Sequence, residues 1–165
     1  MESKELLRLN LVTCHGMVSQ LIEGLREDPL TFPTLNGGCH PMWVMGNLAL
    51  GDAVFLHEWI LGGDNPLADW TGMFGVGTEA TANVADYPSF DEVVNKANEM
   101  HRAMLATLDS FTEEDLDKSS KAPSEYAPFF GTNRKIFHMS GLHWMMHRGH
   151  LTDVRRAAGR ERMGP

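Results

Sequence analysis

The chain has 165 residues, a length that suits one domain and buries a core able to fold without disulfide staples. Fourteen Lys and Arg against 22 Asp and Glu leave a formal net charge of −8, which repels phosphate backbones and anionic lipid surfaces and argues against a nucleic-acid partner. Cys14 and Cys39 are the only cysteines; they are too few for a disulfide framework and form no Cys-x-x-Cys pair, so a reducing cytoplasm is the expected compartment.

The opening "MESKELLRLN" mixes charges among its apolar residues and lacks the apolar stretch and small-residue cleavage site of a signal peptide. No window approaches the roughly 18 to 20 uninterrupted apolar residues that cross a bilayer. Over residues 3–26, Leu6, Leu9, Thr13, Met17, Leu21 and Leu25 recur at steps of three and four and predict an amphipathic helix on that stripe. It should stop near Asp28-Pro29, since proline disfavours helical geometry in the residue before it. "TFPTLNGGCHP" then reads as an irregular connection. Pro41 suits a first helical turn, and "MWVMGNLALGDAVFLHEWIL" behind it is apolar on most faces, which predicts a deeply buried second helix ending at Gly62-Gly63.

Residues 64–87 hold further glycines and prolines without a sustained period and predict a long crossover with room for a short helical turn. Ser89 with Glu92 forms a capping-box pattern, and Val93, Ala97, Met100, Met104 and Leu108 continue a third helix to about Phe111. Thr112 with Asp115 starts a further short piece. "KSSKAPSEYAPFFGT" is too rich in proline and turn formers to be expected as regular structure. The last helix opens near Thr132 or Asn133, runs through Ile136, Met139, Leu142, Met146, Leu151 and Val154, and closes at Gly159. No segment alternates with period two. The expectation is an all-α class, one domain over residues 1–165, with helices of roughly 20 to 26 residues spanning about 30 to 39 Å, as a four-helix bundle with long crossovers requires.

"HWMMHRGH", residues 143–150, puts His143, His147 and His150 within roughly 60° of one another on the last helix. An i, i+4 pair directs two imidazoles at one ion, whereas His150 lies about 10.5 Å along the axis from His143, too far for the same ion. Trp144 stands where a zinc protease carries its glutamate, so that mechanism is excluded. Gly149, costly inside a helix, implies close approach of another backbone. A third ligand would come from His15, His57 or His101, or from a weaker oxygen donor such as Asn47. The methionines on the stripes, Met100, Met104, Met139 and Met146, read as gap-filling core. Arg155 and Arg156 offset the dipole at the end of the last helix, His40 ends a loop, and Trp43 reads as core.

Two stretches, "HPMWVMGNLALGDAVFLHEWILGG" (40–63) and "LHWMMHRGHLTDVRRAAGR" (142–160), together resemble the DinB/YfiT-like superfamily of metal-dependent four-helix proteins. The resemblance implies an up-down-down-up bundle, frequent dimerisation, and a divalent ion held by one second-helix histidine and the histidine pair of the fourth. His143 and His147 match that pair. The second-helix ligand falls on Asn47, where the family pattern has histidine, and an amide oxygen is a poorer donor to Zn²⁺ or Ni²⁺ than imidazole. Trp43, Val44, Leu50 and Gly51, one turn away, offer no replacement. The resemblance further implies an enzyme using a low-molecular-weight thiol, with a small-molecule substrate and a homodimer as the assembly; in such an enzyme His150, one turn beyond His147, is the expected proton carrier beside the ligands. The reading that competes with it is a metal-free bundle that binds a small molecule or serves as a dimeric scaffold.

Overall fold

The computed structural model describes residues 2–28, 30–31 and 39–161; the expected break at Pro29 and most of the connection that follows lie outside them. The described residues fold into seven α-helices with no strand. Helix α1 (Ser3–Glu23) opens at Glu2, whose N–H donates to Glu5 Oε2 at 3.1 Å. Its buried face is Leu7, Leu11, Cys14, Val18, Leu21 and Ile22. This corrects the expected stripe, for Leu6 and Leu9 are 58% and 51% exposed. Both series have a helical step, and polar contacts choose between them. Arg8 Nε meets Asp109 Oδ1 at 3.0 Å and His15 Nε2 meets Asn98 Oδ1 at 2.8 Å, which turns Leu7 and Leu11 inward.

Helix α2 (Pro41–Ala53) carries Pro41 in its first turn and is capped by His40, whose Nδ1 accepts the Trp43 N–H at 3.1 Å. Every residue from 41 to 50 is buried. The rod continues without a break as a π-helix, Val54–Leu61, and Gly62 ends it at φ 73°. The connection behind it holds two 3-10 turns, Ala68–Trp70 and Val84–Asp86, and the one-turn helix α3 (Thr71–Phe74).

Ser89 Oγ accepts the Glu92 N–H at 3.2 Å and starts α4 (Phe90–Ser110), which buries the expected Val93, Ala97, Met100, Met104 and Leu108. Thr112 and Asp115 form a capping box on α5 (Glu113–Asp117). The stretch expected to be irregular instead forms a 3-10 turn, Ser124–Tyr126, and α6 (Ala127–Phe130). Pro128 sits in the first turn of α6, where its missing N–H costs no bond. Thr132 caps α7 (Asn133–Ala157), and Gly159 at φ 69° lets the chain leave it. On α7, Leu142 and Met146 are exposed, which corrects their expected place on the core stripe, and Gly149 has no neighbouring atom within 4 Å of a Cβ built there. On α7 it is Gly141 that a neighbouring helix crowds, against Asn10 of α1.

The four long helices pack side by side. Arg155 Nη1 donates to Gly24 O at 3.4 Å, and Arg134 meets Ser3, so α1 lies along α7 from end to end. The Arg8–Asp109 and Arg26–Asp91 pairs lay α1 along α4 in the opposite sense. Helix α2 packs against α4 and α7. One apolar cluster gathers Val18, Leu21, Met45, Leu48, Val93, Met100, Trp144 and Leu151; a second gathers Leu7, Leu11, Phe55, Leu56, Met104, Leu108, Ile136 and Phe137. No helix among the described residues is long and apolar enough to cross a membrane.

Candidate metal centre

The α2–α7 seam brings together the three residues that the sequence singles out as metal donors. Asn47 Oδ1 stands 3.0 Å from His143 Nε2 and 2.9 Å from His147 Nε2, and the two Nε2 atoms are 3.1 Å apart. The i, i+4 spacing aims both imidazoles across the seam. Two glycines of α2 make the approach possible. A Cβ on Gly51 would meet His143 Cε1 at 2.7 Å, and one on Gly46 would lie inside the Phe74 ring.

Phe74 has a second part in the site. Its backbone carbonyl accepts the Asn47 Nδ2–H at 2.6 Å, which fixes the amide with its oxygen toward the imidazoles. Trp43 closes one side, its ring centroid 6.1 Å from that of His147, and its Nε1–H donates to Thr78 Oγ1 at 3.0 Å. Phe55 closes another, 6.0 Å from His143. Trp43 is core as expected, and its indole is at the same time a wall of the site.

Burial pushes the pKa of both imidazoles down, that of His143 to about 4 and that of His147 to about 3, the latter helped by the neighbouring His143 and His150. Both rings are therefore neutral near pH 7, and a cation would not have to displace a proton from an imidazolium. His150 is exposed and does not join the triangle; its Nδ1 contacts His147 Nδ1 at 3.1 Å, on the far side of that ring. The alternative third ligands stay away. His15 and His101 stack on each other at 4.0 Å between α1 and α4. His57 is half-buried on the π-helix, and its Nε2 has no hydrogen-bond partner among the described residues.

The donor set fits a small divalent cation in spacing. Three atoms each about 2.1 Å from one ion and at right angles to one another would be about 3 Å apart, which is the edge of this triangle. It is weaker in chemistry. The described residues hold no group of three or more His, Cys, Asp or Glu placed for a metal, so the third donor must be the neutral amide. His143 Nδ1 is buried without a hydrogen-bond partner among the described residues, whereas a metal-bound imidazole normally donates its other N–H.

Sequence reasoning missed Asp52. It lies wholly inside, and its oxygens accept from Ser140 Oγ at 2.7 Å and Trp144 Nε1 at 2.9 Å. A signal was present: Asp52 is an acid flanked by apolar residues in the middle of a helix apolar on most faces, where a charged side chain calls for partners. The Phe74 carbonyl gave no such signal, because a backbone acceptor carries no residue identity.

The family model described as the DinB superfamily matches residues 10–151. The chain belongs to that superfamily. Comparison with the curated proteins gives no match.

Proposed function

We propose that this member of the DinB superfamily is a divalent-metal-dependent enzyme that transfers a low-molecular-weight thiol to a small electrophile. His143, His147 and Asn47 are its Zn²⁺- or Ni²⁺-holding donors. The convergence of Asn47 Oδ1 with the two Nε2 atoms carries this reading. A bound ion would supply a Lewis acid that lowers the pKa of the attacking thiol. The protein's own residues do the rest. The Phe74 carbonyl holds the amide oxygen inward, and His150 accepts the His147 proton at Nδ1 so that the Nε2 lone pair stays free. His150, being exposed, passes protons to solvent. In the transfer, the thiolate sulfur forms the new bond to an electrophilic carbon, and the leaving group departs with the electrons of the bond it breaks.

On this reading the four long helices form the up-down-down-up bundle of the superfamily, which the directions of the Arg155–Gly24 and Arg8–Asp109 contacts support. The chain works as a cytoplasmic homodimer, with both cysteines free. A second reading, a metal-free bundle that binds a small molecule or serves as a scaffold, draws on the unpartnered His143 Nδ1 and the neutral amide.

Metal analysis and calorimetry on tag-free protein separate the two. The first reading expects one Zn²⁺ or Ni²⁺ per chain, lost in His143→Ala. It also expects at least tenfold tighter binding in Asn47→His, about 1.4 kcal/mol, seen as a higher melting temperature with metal present. A wild-type protein whose melting temperature ignores added divalent ions, with no gain in Asn47→His, overturns it.

A further inference from the structure

Asp52 is 0% exposed, and no described cationic side chain pairs with it. An ionised carboxylate inside a protein is costly unless strongly partnered. Burial outweighs the two donors from α7 and lifts its pKa to about 6, so the anion is a net burden on the fold. Its neighbours Leu48, Ala49 and Ala53 are fully buried apolar residues, and an apolar side chain at 52 would suit the packing better. Stability therefore does not account for an acid here.

Its contacts do. Ser140 and Trp144 are four residues apart on α7, so one carboxylate grips that helix at two points about 6 Å apart along the axis. Two such points fix both the roll and the slide of α7 on α2. His143 stands between the gripped residues and His147 lies three beyond Trp144, so the same grip sets where both imidazoles meet Asn47. The Trp144 indole cannot swing away, because the rings of His15 and His101 lie 4.7 and 5.7 Å from it.

We propose that Asp52 is the positioning residue of the His143, His147 and Asn47 triangle, holding α7 in the one register on α2 at which the three donors converge. Its affinity readout rests on the metal reading above, and its second readout does not. Four variants test it. Asp52→Ala removes both bonds and Ser140→Ala removes one. Asp52→Asn can keep both, its oxygen accepting from Trp144 and its amide donating to Ser140. Leu116→Ala, in a fully buried residue of α5 beside the first turn of α7, loosens the fold away from the triangle.

Zn²⁺ affinity is measured by competition, and the ring-nitrogen resonances of His143 and His147 by NMR on metal-free protein. Asp52→Ala should weaken Zn²⁺ at least tenfold and move both sets of resonances, Ser140→Ala should do the same to a smaller degree, and Asp52→Asn should restore affinity to within about threefold. Leu116→Ala should leave affinity and resonances unchanged despite a lower melting temperature. Unmoved resonances in Ser140→Ala and Asp52→Ala, or equal losses in Leu116→Ala, overturn the proposal. If Asp52→Ala does not fold, Ser140→Ala and Asp52→Asn decide it. A wild-type protein that binds no Zn²⁺ defeats the metal reading alone, and the resonances then decide the role of Asp52.

Discussion

A single hydrogen atom at Gly51 allows His143 its place, because the backbone of α2 runs against the imidazole where any side chain would stand. Gly51→Ala puts a methyl group 2.7 Å from Cε1 and 2.9 Å from Nδ1, inside van der Waals contact. Overpacking of this kind costs about 1 to 3 kcal/mol, and here the ring pushed aside belongs to the triangle. The variant should lose metal affinity by a larger factor than a core truncation of equal thermal cost, as calorimetry with Zn²⁺ would show. Asn47 is the complementary case. Its side chain could present oxygen or N–H₂ to the imidazoles, and the bond to the Phe74 carbonyl selects oxygen. The identities of Asn47, His143 and His147 could be read along the chain, while what holds each of them came from backbone atoms and from residues distant in sequence.

Among the elements, α4 was legible because its polar and apolar residues separate cleanly, and Ser89 marks its start. Helix α1 was not. Apolar residues occupy more than half its circumference, so periodicity fits two faces, and only the partners of Arg8 and His15 on α4 decide between them. The π-helix was illegible for a related reason: "VFLHEWIL" has no residue type that marks a wider turn. Leu6, Leu9 and Met17 of α1 and Leu142 and Met146 of α7 are exposed on helices that run side by side. Exposed apolar side chains on two adjoining helices suit an interface. If two copies of the chain pair through these residues, Leu9→Glu should give a monomer in sedimentation equilibrium at micromolar concentration while the helical circular dichroism stays unchanged; a monomeric wild type or an unaltered mass in the variant would rule that pairing out.

For the molecule as a whole, buried titratable groups set the response to acid. In the folded protein His101, His143 and His147 have pKa values of about 3, 4 and 3, each lowered chiefly by burial. Below the ordinary histidine value of about 6.5, the unfolded chain binds protons that the folded chain refuses. Their contribution is complete above that value and is lost as pH falls toward 4. Asp52 acts in the opposite sense, since its raised pKa of about 6 makes the folded state the better proton acceptor from there down to about 4. Three groups outweigh one, so metal-free protein should melt on the order of 10 °C lower at pH 5.0 than at pH 7.5. A flat profile would show that these imidazoles are open to water. The clasp between Phe74 and Asn47 reaches further than its length suggests. The last residue of the one-turn helix α3 dictates the electrical sense of the interior: with its carbonyl withdrawn, the carboxamide is free to rotate, and the cleft would then present hydrogens in place of a lone pair.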